Sequence, residues 1–128
     1  WDLDNTLWQG TLIEDGQERI QLRQDLVEVI RESDRRGILH SVASKNNHDD
    51  AIRVLNKWGI DKYFLYPQIG WDPKSQSVSR IAQLLNIGVD SLAFVDDQRK
   101  WGVLFLKSLS WMRLMHHRFC HGQSVKCQ

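Results

Sequence analysis

The stretch Asp2-Leu3-Asp4-Asn5-Thr6-Leu7 stands at the end of a short apolar lead and places two carboxylates on one tight turn. Residues i and i+2 of an extended chain point to the same side, so Asp2 and Asp4 face one small site if the strand reaches that far. Two acids so close call for a cation or a phosphoryl group between them. Transfer through an aspartyl phosphate requires a carboxylate nucleophile, an acid/base for the leaving oxygen, and a metal to neutralise phosphate charge. The motif supplies the first two. Asp4, Asn5 and Thr6 also suit a capped turn in which their side chains bond nearby amides, and D-x-D alone leaves both readings open.

Outward from this turn, short apolar runs alternate with helical patterns, which argues for α/β architecture in one domain. Asp15-Gly16, between Thr11-Leu12-Ile13 and Glu18-Arg19-Ile20, is a hairpin-turn signal, so residues 7–22 read as a small flap. Leu22, Leu26 and Ile30, with Val27 and Val29, form a helical stripe that Gly37 ends. Ile38 to Ala43 reads as a buried strand delivering Ser44 at its end. Asn46 or Asn47 caps a helix whose Ala51, Ile52, Leu55 and Trp58 share a face as far as Gly59. Tyr63 to Tyr66 reads as a third strand. Asp72-Pro73-Lys74-Ser75 opens a helix with Val78, Ile81, Ala82 and Leu85 inward, closed by Asn86 to Gly88, and Leu92 to Val95 is a fourth strand ending in Asp96-Asp97.

The polar residues Asp2, Asp4, Ser44, Asp96 and Asp97 thus all fall at or just beyond the C-terminal ends of expected strands, with Lys74 opening a nearby helix. In open parallel sheets that edge binds ligands. Asp2 can attack phosphorus while Asp4 protonates the leaving oxygen and later activates water. Asp96 can join Asp2 on Mg²⁺, which prefers hard oxygen ligands. Lys74 balances the crowded carboxylates, and Lys74 and the Ser44 hydroxyl hold phosphoryl oxygens. Taken singly, Ser44 reads as a cap, Lys74 as a solvated helix start and Asp96-Asp97 as a capped loop. Their order and common placement favour the site.

The 128 residues carry a net charge of +1 that hides an asymmetry: all 16 acidic residues lie in 1–98 with 11 basic ones, net −5, whereas 99–128 holds six basic residues and no acid. Both cysteines, Cys120 and Cys127, and three histidines, His116, His117 and His121, lie in that tail. A cysteine-free body fits a reducing cytoplasm. No apolar run approaches the roughly 20 residues that span a bilayer, so no membrane partner is expected. The tail interleaves Trp101, Trp111 and Phe119 with basic residues but brings no recognition module, so no nucleic-acid partner is expected either. Its Cys and His spacing matches no zinc framework. Trp1 begins inside an apolar strand, so the sequence reads as a fragment whose first strand has lost its start.

The order D-x-D-x-T, then Ser, Lys and an acidic pair resembles the haloacid dehalogenase (HAD) superfamily over most of residues 1–98. Within that span, Trp1-Asp-Leu-Asp-Asn-Thr-Leu-Trp8, Val42-Ala-Ser-Lys-Asn46, Tyr66-Pro-Gln-Ile-Gly-Trp71, Pro73-Lys-Ser75 and Phe94-Val-Asp-Asp-Gln98 resemble its FkbH-like branch. The resemblance implies a three-layer Rossmann-like fold with a mostly parallel sheet. It implies Asp2 as nucleophile, Asp4 as acid/base, Ser44 and Lys74 as the phosphoryl-binding pair, and Mg²⁺ on Asp2, Asp96 and the Asp4 backbone carbonyl, with Asp97, Thr6 and Lys45 in support. FkbH-like proteins are associated with polyketide-type biosynthesis, where they are thought to dephosphorylate a glyceryl phosphate donor and load an acyl carrier protein. From spacing alone, the 39 residues between Asp4 and Ser44 and the 29 between Ser44 and Lys74 leave no room for a cap domain. A non-catalytic truncated fragment or carrier-binding module is the other expectation. The resemblance stops within one residue of Gln98, which points to a reading-frame change or an unrelated fusion there, with 1–98 as a catalytic domain and 99–128 as a divergent tail.

Overall fold

The computed structural model describes residues 1–97. The basic tail, its cysteines and histidines, and Gln98 lie outside those residues. Asp2 is the last extended residue before the chain folds back, with the Leu3 carbonyl accepting from the amides of Thr6 and Leu7 at 3.1 and 2.9 Å. Asn5 takes φ of 53° in this turn, a left-handed conformation that asparagine tolerates better than most residues.

After the turn, β1 (Trp8–Gln9) pairs antiparallel with β2 (Gln21–Leu22), with α1 (Leu12–Asp15) between them. This corrects the expected hairpin. Asp15-Gly16 closes a helical turn instead of joining two strands, because Thr11 N donates to Asp15 Oδ2 at 2.7 Å and Leu12 N donates to Asp4 Oδ1 at 3.0 Å. Those side chains satisfy the free amides at the start of a helix, which a strand of the same residues would leave unpaired. Gly10 (φ 92°) is tightly held there, since an added Cβ would come 2.8 Å from Asp15 Oδ2.

α2 (Gln24–Arg35) buries Leu26, Val27, Val29 and Ile30, as its apolar spacing dictates. β3 (Ala43–Lys45) follows and pairs in parallel with β4 (Gln68–Gly70), Ser44 opposite Ile69 and Lys45 opposite Gly70. Further bonds widen this pair: Trp1 N to Ser41 O and Ala43 N to Trp1 O, both 2.9 Å, on one side, and Leu65 N to His40 O at 2.8 Å on the other. Asp2 N donates to Val95 O at 2.9 Å. The segments therefore lie side by side in the order Val95, Trp1-Asp2, 41–45, 64–70.

Three strand expectations need adjustment. Residues 92–95 form no regular strand, because Asp97 N, the next donor along, goes to Thr6 Oγ1 at 3.2 Å instead of to a backbone carbonyl. Tyr63 closes a 3₁₀ turn (Asp61–Tyr63), Phe64 makes a single bridge to His40, and Tyr66 takes φ of 48°, so regular pairing starts only at Gln68. Leu39 is 60% exposed, so only part of Ile38 to Ala43 is buried.

α3 (His48–Lys57) is capped by Asn47, whose Oδ1 accepts from Asp50 N at 3.1 Å. Asn47→Ala is expected to lower stability by about 1 kcal/mol, read from a urea unfolding midpoint. Trp58 lies edge-on to the fully buried Trp8, ring centroids 5.7 Å apart, which joins α3 to the core beneath the Asp2 turn. α4 (Lys74–Leu85) starts after Pro73 and ends at Asn86 (φ 54°), as its composition requires. Among the described residues no helix is long and apolar enough to cross a membrane.

Candidate active site

The candidates converge from four separate places in the chain. Asp2 comes from the innermost extended segment, Ser44 from β3, Lys74 from the first turn of α4, and Asp96-Asp97 from the end of the segment beside Asp2. Lys74 Nζ joins two of them, 3.0 Å from Asp2 Oδ2 and 2.6 Å from Asp96 Oδ2, with all three side chains largely buried. The Phe94 ring lies 5.9 Å from the same ammonium. One carboxylate oxygen each from Asp2, Asp96 and Asp97 lie within 4.8 Å of one another.

Three hard, anionic oxygens this close form a donor set suited to a small divalent cation. Sequence reasoning put Asp97 beside the metal. The structure puts its carboxylate within the cluster. Thr6, buried, anchors that residue by accepting from its amide.

Asp4 is held differently. Its Oδ1 accepts from Trp8 Nε1 at 2.9 Å and Leu12 N at 3.0 Å, and its Oδ2 accepts from Asn46 Nδ2 at 3.0 Å. The carboxylate is therefore positioned by the flap on one side and by the end of β3 on the other, outside the three-acid cluster. In the sequence Asn46 is a cap candidate and, like Trp8, part of a family-like stretch. The available signal was Asn46's place two residues after Ser44 at a strand end. Ser44 Oγ is buried and has no hydrogen-bond partner among the described residues. Lys45 is exposed.

Burial raises the pKa of Asp2, the neighbouring Asp96 charge adds to this, and Lys74 only partly opposes it. For Lys74 burial works against the charged form, but bonds to and charges of Asp96 and Asp2 outweigh it and the pKa is raised. Asp97 is pushed up to about 6, first by desolvation and then by its hydrogen bond to Asp96 and the charges of Asp96 and Asp2. Between the unfolded carboxyl value of 3.8 and about 6 the native Asp97 keeps a proton that the unfolded chain has lost, so without a cation this group's ionisation lowers stability as pH rises through that window. A bound cation reverses the preference. Mg²⁺ affinity is therefore expected to weaken as pH falls below about 6, measured by titrating Mg²⁺ against the melting temperature from pH 5 to 8.

No protein-family model and no curated protein sequence matches the chain. A solved structure does: the N-terminal part of the protein BF1531 from Bacteroides fragilis, containing a phosphatase domain and complexed with Mg, aligns with a TM-score of 0.72 at 30% sequence identity. The described residues share the mixed α/β fold of that phosphatase domain. The alignment covers 77% of this chain and 30% of that one, so this chain spans under a third of the length of that N-terminal part. Mg is the ion that structure carries, and the three-carboxylate cluster described above is of the kind that holds it.

Proposed function

We propose that this chain is a Mg²⁺-dependent phosphoryl hydrolase or transferase working through an aspartyl phosphate on Asp2. The observation that carries this reading is the Asp2 carboxylate, buried at the sheet edge and held against Lys74 Nζ at 3.0 Å, in a fold shared with a Mg-complexed phosphatase domain. Asp2, Asp96 and Asp97 would hold the ion, which when bound neutralises carboxylate and phosphate charge.

The chain's own groups supply the rest. Asp2 attacks phosphorus, the bond from phosphorus to the leaving oxygen breaks, and Asp4 gives that oxygen a proton. Lys74 Nζ and Ser44 Oγ, which has no partner among the described residues, donate to phosphoryl oxygens. Water then attacks the aspartyl phosphate, Asp4 takes its proton, and the Asp2 carboxylate is restored with release of phosphate.

The stretches that resemble the FkbH-like branch support a narrower reading, in which a cytoplasmic enzyme takes a glyceryl phosphate donor and the glyceryl unit goes on to an acyl carrier protein. Described elements between Asp4 and Ser44, and between Ser44 and Lys74, leave the site without an inserted cap, which suits a tethered acceptor. Loading would require a cysteine thiolate, and residues 1–98 contain none.

Thermal melting with Mg²⁺ and beryllofluoride, a phosphoryl mimic, tests the reading, because a ligand that binds only the native state raises its stability. The melting temperature is expected to rise most when both are present, and the further rise that beryllofluoride adds is expected to be absent in Asp2→Asn. A cooperative melt indifferent to both would make the chain a folded, non-catalytic module.

A further inference from the structure

The Asn46 side chain is fully buried, and only one of its two polar atoms is hydrogen-bonded among the described residues. Its Nδ2 donates to Asp4 Oδ2 at 3.0 Å, while its Oδ1 has no partner among the described residues. While Asp4 is ionised the amide cannot be turned round to relieve this, since an oxygen would then face a carboxylate oxygen. A buried acceptor left unpaired is costly, and an apolar side chain of the same size would avoid the cost. Stability is therefore a poor explanation for an amide at this position.

Its backbone is rigidly placed. Asn46 follows β3 directly, where Ser44 and Lys45 pair with Ile69 and Gly70, and precedes Asn47, the cap of α3. The contact reaches across 42 positions in the chain to Asp4, which Trp8 Nε1 and Leu12 N hold from the flap side. A side chain on a rigid element that holds a reacting group from the side opposite a flap controls that group's orientation.

We infer that Asn46 is a positioning residue for Asp4, aiming its carboxyl at the leaving-group oxygen during phosphoryl transfer from substrate to Asp2. This rests on the proposed aspartyl-phosphate reading and adds to it a residue that acts through the acid. In the step concerned, the O–P bond between Asp2 and phosphorus forms as the bond to the leaving oxygen breaks. The proton on Asp4 passes to that oxygen, so an alcohol leaves and Asp4 becomes a carboxylate.

Protonation matters in proportion to how poor the leaving group is. An alkoxide needs the proton and a nitrophenolate scarcely does, so misaiming Asp4 has a signature that general damage to the site lacks. The test compares single-turnover formation of the phosphoenzyme from an alkyl phosphate, glycerol 3-phosphate, and from p-nitrophenyl phosphate, in wild type and Asn46→Leu with Mg²⁺ present. The Leu variant is expected to lose about 10- to 100-fold with the alkyl ester, within the range for acid–base catalysis, and less than about 3-fold with the aryl ester. Trp8→Phe, which removes a different donor to Asp4, is expected to show the same selective loss and serves if Asn46→Leu does not melt cooperatively.

Equal losses on both esters, or none on either, would overturn the positioning role. A wild type that forms phosphoenzyme from neither ester would instead overturn the aspartyl-phosphate reading, and this inference with it.

Discussion

Asp2→Asn is expected to lower phosphoryl-transfer activity by about 10⁴-fold or more, the scale on which loss of a nucleophile is felt. The amide keeps the carboxylate's shape and can still accept from Lys74, which remains paired with Asp96 at 2.6 Å, so the loss is chemical and not structural. Stability should move the other way. Burial raises the Asp2 pKa even with Lys74 beside it, which means the charge is held at a cost when no cation is bound. The metal-free Asn variant is expected to melt at or above the wild-type temperature and to respond less to Mg²⁺, having one carboxylate fewer in the cluster. Steady-state hydrolysis of p-nitrophenyl phosphate and a melt with and without Mg²⁺ check both halves. A variant that keeps more than about 1% of activity would place the nucleophile elsewhere.

Lys74→Met is expected to have the largest effect on stability. Methionine retains most of the side chain's length and its apolar stem, so what is removed is the ammonium between Asp2 and Asp96. Two buried carboxylates then face each other and Asp97 with that counter-charge gone, and breaking a buried ion pair from one side costs about 3–5 kcal/mol. The loss should be greatest near pH 7 without metal. It should shrink towards pH 5, where Asp97, pushed up to about 6, takes up a proton. Mg²⁺ should restore part of the stability by supplying positive charge, without restoring activity, because the phosphoryl oxygens have lost their lysine. Urea unfolding at pH 5 and pH 7, with and without Mg²⁺, separates these contributions. A loss under about 1 kcal/mol at both pH values would mean that solvent screens the cluster far more than its burial implies.

The local rules that place the site were legible in the sequence. Aspartates two positions apart beside an Asn-Thr turn, a lysine just after a proline that starts a helix, and an acidic pair closing an apolar run each follow from short-range chemistry. Asp2, Lys74 and Asp96 do meet. What was not legible depends on contacts between distant residues. Asn46 reaches Asp4 from the end of β3, a contact that its place as a cap candidate two residues after Ser44 does not specify. Trp8 stands in the sequence only as part of a family-like stretch, although its indole N–H is one of the donors that fix Asp4. The expected hairpin failed because an Asp-Gly pair closes a helical turn as readily as a strand pair, and side-chain bonds to Thr11 N and Leu12 N decided between them. Strand limits moved for a similar reason: the positive φ at Tyr66 and the diversion of the Asp97 amide to Thr6 are tertiary choices that apolar runs do not encode.

Phosphorus on Asp2 is the central claim, and peptide mass spectrometry after acid quench measures it directly. The protein would be mixed with Mg²⁺ and acetyl phosphate, a small phosphoryl donor, quenched within seconds and digested at low pH. An added phosphoryl group confined to the peptide containing Asp2, released by hydroxylamine as acyl phosphates are, and missing in both Asp2→Asn and metal-free samples, is the expected result. Phosphorus on another residue, or none in a sample that hydrolyses the donor, would contradict an aspartyl phosphate at Asp2.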